Sequence, residues 1–153
     1  MTRAALKLGL VIAGLVLGNT AFGATFLVDD SKSTVLDANL PLQWRSQSPS
    51  NGDHAVQGVT RVQVRLDTSA WVGKPARIYM ALPAQPIGMV TANWQTQGQL
   101  LSGQLNSGQR GLVWSGPVPK ALLEDVLTVT ITSDGRLLST SQMLRFYFEI
   151  DLP

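Results

Sequence analysis

The stretch MLRFYFEIDLP, residues 143–153, decides the fold class of this chain. Large apolar side chains occupy every second position and polar ones stand between them, which is the period of a β-strand with one buried face. We expect a strand over 143–152 that closes the protein's own sheet, since burying each such side chain is worth about 1.5–3 kcal/mol. Its apolar face holds Leu144, Phe146, Phe148, Ile150 and Leu152.

The same alternation recurs along the rest of the chain. Pro41 predicts that the strand at 36–47 lies at a sheet edge, because proline has no N–H to donate to a neighbouring strand. Trp44 and Trp94 fall on predicted inward faces. The additional strands are predicted at 36–47, 59–67, 77–82, 90–94 and 127–131.

Turn residues connect these strands. Asn106-Ser107-Gly108 predicts a hairpin between 99–105 and 109–115, and Asp134-Gly135 predicts a second hairpin with a type I′ turn. One short helix of at most about two turns is predicted at 118–125.

Many short strands with turn signals between them are typical of an all-β protein. We predict a single antiparallel β-sandwich of immunoglobulin-like kind with about seven to nine strands, and a small closed barrel is the alternative.

The first 23 residues have the pattern of a secretory signal peptide. Arg3 and Lys7 precede an apolar run over 8–17, and small residues follow at Ala21 and Gly23. We predict cleavage between Gly23 and Ala24, so that 24–153 is one exported domain located in the periplasm, outside the cell or at its surface. The segment 24–34 is either a short first strand or a flexible arm that completes a neighbour's sheet, with Phe26 and Val28 as its apolar positions.

The charge balance and the missing cysteines exclude several classes. Once Arg3 and Lys7 are removed with the signal peptide, ten basic and ten acidic residues remain, and no Lys/Arg cluster is present. The sequence therefore predicts that the protein does not bind nucleic acid. Because no stretch after the signal peptide is long and apolar enough to cross a membrane, it also predicts no membrane insertion after signal cleavage. With no cysteine, thiol catalysis, thiolate metal sites and disulfides are excluded.

The sequence also carries no catalytic constellation. His54 is the single histidine, no G-x-S-x-G motif accompanies the serines, and Asp29-Asp30 and Glu124-Asp125 are neighbours that point to opposite faces of a strand. A zinc site needs three or four ligands, which one histidine without cysteine does not supply. We therefore expect a protein that is not an enzyme and needs no cofactor or metal.

In its overall pattern the chain resembles exported bacterial β-sandwich proteins of the fimbrial or pilus-accessory kind. The resemblance rests on the signal peptide, the N-terminal segment ATFLVDDSKST, the neutral surface rich in Gln, Ser and Thr, and the alternating terminal strand. It implies a structural or assembly protein that engages protein partners, or copies of itself, by strand pairing. The alternative is a stand-alone binding module, with carbohydrate as one ligand class, whose ligand contacts are Trp71, His54 and Tyr79.

The cleavage site is directly testable. Expression of the whole chain with its leader in a bacterium should give an exported protein whose N-terminal sequence is ATFLV, because small residues at 21 and 23 fit the signal peptidase. N-terminal sequencing together with the intact mass of the exported fraction checks this. A product that retains residues 1–23 would contradict the assignment.

Overall fold

The computed structural model describes residues 23–37, 40–45, 52–86, 88–136 and 144–153, and most of the predicted signal peptide lies outside these ranges. Within these ranges no helix is long and apolar enough to cross a membrane. Among the residues in these ranges, the regular structure consists of ten strands and one 3-10 turn, Ser69–Trp71. They are β1 (Ala24–Val28), β2 (Thr34–Val35), β3 (Gln43–Trp44), β4 (Ala55–Asp67), β5 (Pro75–Ala81), β6 (Val90–Thr96), β7 (Gly103–Asn106), β8 (Arg110–Pro117), β9 (Leu122–Asp134) and β10 (Tyr147–Leu152).

The strands form two antiparallel sheets that pack face to face. Sheet A has four strands in the order β1-β10-β5-β8, and sheet B has six, in the order β2-β4-β9-β6-β7 with β3 also paired to β4. A single apolar core lies between the sheets. The predicted all-β sandwich is confirmed, and the closed-barrel alternative is wrong because the described strands form two separate sheets.

The longest pairing is the one between β4 and β9. Thirteen residues of each strand pair without a break, from Ala55 opposite Asp134 to Asp67 opposite Leu122. Every second residue of β9 from Leu123 onward is buried, which is the alternation that the sequence shows. The helix predicted at 118–125 is therefore wrong, because pairing with β4 and burial of Leu123 outweigh the helical preference of the segment ALLED.

Both predicted hairpins differ from the structure. Strand β7 pairs with β6 in sheet B, whereas β8 pairs with β5 in sheet A, so the chain crosses between sheets at Asn106-Ser107-Gly108. At the other turn neither Asp134 nor Gly135 has the positive φ that a type I′ turn needs. Strand β9 pairs with β4 and β6, and the return strand predicted after this turn falls on residues 137–143, outside the described part of the chain.

The two tryptophans that were predicted to face inward have different environments. Trp94 on β6 is 2% exposed, and its indole N–H donates to the carbonyl of Leu101 at 2.8 Å. Trp44 is 49% exposed, so its predicted burial is wrong. It lies on the two-residue edge strand β3, where its ring packs against Gly135 and Val56 at the rim of the sandwich. The edge position expected from Pro41 is confirmed, although β3 is the only strand among the described residues of 36–47.

The terminal strand lies inside sheet A. Strand β10 pairs with β1 on one side and with β5 on the other, which confirms that it closes the protein's own sheet. Phe148 and Ile150 are buried in the core. The strand begins at Tyr147 rather than at 143, and Leu144 and Phe146 precede it, partly buried against the core. Met143 lies outside the described residues.

A buried carboxylate holds the loop between β6 and β7. Asp125 accepts hydrogen bonds from the backbone N–H groups of Gly98 at 2.8 Å, Leu100 at 2.9 Å and Val126 at 2.7 Å. Because unpaired N–H groups inside a protein are costly, this side chain fixes the loop that also supplies the partner of Trp94.

Replacing Asp125 by alanine should therefore lower the free energy of unfolding by about 2–4 kcal/mol, because one buried and two partly buried backbone N–H groups lose their acceptor. The matched control is Glu124→Ala, which removes an exposed ion pair with Arg65 and should cost less than about 1 kcal/mol. Urea unfolding followed by tryptophan fluorescence measures both changes. Equal effects of the two substitutions would contradict the anchoring role of Asp125.

Candidate strand-pairing site

The first strand lies at the edge of sheet A. Strand β1 pairs over five residues with β10 alone, and its second edge faces no other described strand. Of the two alternatives for the N-terminal segment, the single chain has the short first strand. At its end the chain leaves sheet A, where the carbonyl of Asp29 accepts the N–H of Asp67 on β4 at 2.9 Å.

Little of β1 is buried. Val28 packs into the core opposite Phe148, but Phe26 is 46% exposed and Leu27 is 72% exposed. The Phe26 ring lies on Trp71, with 6.0 Å between the ring centroids. Thus one predicted strand-pairing residue and one predicted ligand contact are neighbours, and the 3-10 turn that carries Trp71 supports the edge strand.

The outer face of sheet A carries a cluster that we call the Asp151 clamp: Thr25, Tyr79, Arg110, Glu149 and Asp151. The carboxylate of Asp151 accepts two hydrogen bonds from the Arg110 guanidinium, at 3.1 and 2.9 Å, and one from the Thr25 hydroxyl at 2.7 Å. Arg110 also donates to Glu149 at 3.2 Å and lies 4.0 Å from the centroid of the Tyr79 ring. The clamp therefore joins all four strands of sheet A.

Burial and charge make this cluster more than a surface ion pair. Asp151 is only 7% exposed. The hydrogen bond from Arg110 lowers the pKa of Asp151, and the hydrogen bond from Thr25 acts in the same direction, while desolvation opposes them. Asp151 in turn raises the pKa of Arg110. Both groups are thus held in their charged forms, which favours short, charge-assisted hydrogen bonds.

The three predicted ligand contacts do not share a site. His54 precedes β4 and Trp71 follows it, so the two lie at opposite ends of a strand of about 40 Å. His54 lines a shallow depression of about 280 Å³ together with Arg45 and Arg136, whose partners are Asp53 and Asp134. Tyr79 belongs to the Asp151 clamp instead.

The sequence pattern indicated Phe26 and Val28 as strand-pairing residues and Tyr79 as a ligand contact. It did not indicate that the other four members of the Asp151 clamp form a group: Thr25, Arg110, Glu149 and Asp151. Arg110 lies 41 positions from Asp151, and nothing in the local pattern connects them. The register of β1, β10, β5 and β8 brings them together. Over the described residues, no three His, Cys, Asp or Glu side chains are grouped to hold a metal ion.

Comparison of the chain with protein-family models, with curated proteins and with solved structures finds no match.

The clamp predicts a pH dependence of stability. Because the pKa of folded Asp151 is below the ordinary value of 3.8, the stability it contributes is present above pH 3.8 and is lost as the pH falls through the folded pKa. Asp151→Asn should lower the free energy of unfolding by about 1–3 kcal/mol at pH 7, and this difference from the wild type should shrink below pH 3.8. Urea titrations at several pH values measure it.

The matched control is Asp134→Asn, which removes a carboxylate that is also paired with an arginine but whose side chain is more exposed, at 31% against 10% for that of Asp151. At pH 7 this control should lower the free energy of unfolding clearly less than Asp151→Asn does, because water screens the pair of Asp134 and Arg136. A difference between wild type and Asp151→Asn that stays constant from pH 7 to pH 2 would contradict the role given to the charged clamp.

Proposed function

We propose that this chain is a non-enzymatic, exported structural or assembly protein of a bacterial surface system, a pilus or fimbria subunit or a periplasmic accessory, that acts by β-strand pairing at β10. The observation that carries the proposal is the pairing of β10 with a five-residue edge strand whose side chains are largely exposed. The signal-peptide pattern of residues 1–23 supports a location in the periplasm or at the cell surface.

The two strands that pair with β10 are buried to different extents. On one side stands β5, whose inward residues Ala76, Ile78 and Met80 are all buried. On the other side stands β1, where Val28 is buried and Phe26 is half exposed. Since burial of apolar area is what holds a strand in place, β1 is held much more weakly than β5. Its release would leave the β10 backbone as an open edge, which is a template for another strand.

The occupant we propose for that edge is β1 of a second copy. The second copy offers the same five residues in the same register, so every contact of the closed form is remade between chains. The chain from Asp29 to Ser33 is the hinge. It makes a turn in which the N–H of Ser33 donates to the carbonyl of Asp30 at 2.8 Å, and it is tied to β4 by the Asp29–Asp67 bridge and by the Arg65 N–H, which donates to Ser33 Oγ at 2.8 Å.

Association should depend on residues 24–33. The chain from Ala24 should form oligomers whose amount rises with concentration, and a version without residues 24–33 should lose the self-complementary pairing. In the full-length domain, Phe26→Asp places a charge opposite the buried Ile150 of β10, so it should detach β1 from its own and from a second β10 alike and leave the protein monomeric. Size-exclusion chromatography with light scattering measures the mass of each species.

The matched control is Val35→Thr in the exposed edge strand β2, which leaves β1 unchanged and should not alter association. If the chain from Ala24 stays monomeric at all concentrations, strand exchange through β1 is contradicted.

That outcome would favour a second candidate function, a stand-alone binding module with carbohydrate as one ligand class. An open depression of about 820 Å³ supports this candidate, because the aromatic ring of Tyr147 and the polar side chains of Gln109 and Arg110 line it beside Leu82 and Pro83.

A further inference from the structure

We propose that the Asp151 clamp selects the strand that pairs with β10, and that it requires a hydroxyl-bearing residue, serine or threonine, opposite Asp151. The inference rests on the proposed strand exchange and adds the chemistry by which the incoming strand is recognised. The site is the edge of β10, and the partner is a strand with a hydroxyl at one position and apolar side chains at the first and third positions after it.

The hydrogen bonds of Asp151 define the requirement. Arg110 supplies one donor to each carboxylate oxygen, and both distances are close to 3 Å. The Thr25 hydroxyl supplies the third donor, at 2.7 Å, which is the shortest of the three. Arg110 reaches Asp151 from β8, so it stays in place when β1 leaves, but the donor from the edge side leaves with β1.

Few side chains meet this requirement. Thr25 stands directly opposite Asp151, so its short side chain places the hydroxyl at hydrogen-bond distance. Valine has nearly the same shape but no donor, so Asp151 Oδ1 would lose its shorter hydrogen bond and keep only the one from Arg110. An aspartate or glutamate would repel Asp151. A lysine or arginine at this position would be repelled by Arg110 and also by Arg77, which stands opposite Asp151 on β5.

The inward positions complete the pattern. Phe26 stands opposite Ile150 and Val28 opposite Phe148, and both partners on β10 are buried core residues. A strand that pairs here must therefore be apolar at these two positions. Leu27 lies between them on the outer face and is largely exposed, so that position tolerates many residues. The order hydroxyl, apolar, variable, apolar describes the partner strand.

The test uses the full-length domain with Phe26→Asp, whose own β1 is weakened, and three fluorescein-labelled peptides of residues 24–30. The peptides are ATFLVDD, its Thr25→Ser form and its Thr25→Val form. Fluorescence anisotropy should give dissociation constants about 10- to 100-fold weaker for the valine peptide than for the threonine and serine peptides, the range that one hydrogen bond to a charged group supplies.

Equal binding of all three peptides would overturn the selection by Asp151 while leaving strand exchange intact. Binding by none of them would contradict the proposed strand exchange, and the inference with it. If Asp151→Asn is added to the Phe26→Asp domain, the preference for threonine over valine should fall.

Hydrogen exchange keeps the inference testable if the Phe26→Asp domain does not fold. In the otherwise unchanged domain, Thr25→Val should raise the exchange rate of the β1 amides about 10- to 100-fold without a comparable change in β4 and β9. Unchanged exchange in β1 would overturn the inference.

Discussion

The structure depends on β10 being covered on both of its edges. Phe148 and Ile150 are core residues, and they lie in the middle of sheet A only because β5 pairs on one side and β1 on the other. The pairing with β5 is the more stable one, because the inward residues Ala76, Ile78 and Met80 of β5 are all buried. The β1 side is a five-residue strand held by one buried valine, a half-exposed phenylalanine and the hydroxyl of Thr25. Strand β1 thus completes the fold of the single chain, and the edge that it covers is the one that we propose β1 of a second copy takes.

Sheet B is held together more firmly than the β1 edge of sheet A. There β4 and β9 pair over thirteen residues, and Asp125 fixes the loop beside them. A long pairing of this kind does not depend on β1, so opening the edge of sheet A need not unfold the domain. We infer that strand exchange at β10 and stability of the sandwich reside in different parts of the molecule.

The sequence predicted those parts of the fold that follow from local alternation. Phe148 and Ile150, and also Trp94, face the core as expected. Three predictions were wrong because the structure there depends on distant partners: β9 begins where a helix was predicted, β7 and β8 lie in different sheets, and Trp44 sits at an exposed rim. A fourth, the type I′ turn at Asp134-Gly135, was wrong in its backbone angles. The Asp151 clamp was not predicted at all, because it joins side chains from four strands through their register.

Disulfide trapping tests the central claim most directly, because the chain has no cysteine of its own. Leu27 and Glu149 stand opposite each other on β1 and β10, within the range that a disulfide spans. One chain carries Leu27→Cys and another Glu149→Cys, so any disulfide between these positions joins two molecules. The account predicts this mixed disulfide in the assembled fraction and none when Val35→Cys replaces Leu27→Cys. Its absence from assembled material would contradict the exchange of β1 between copies.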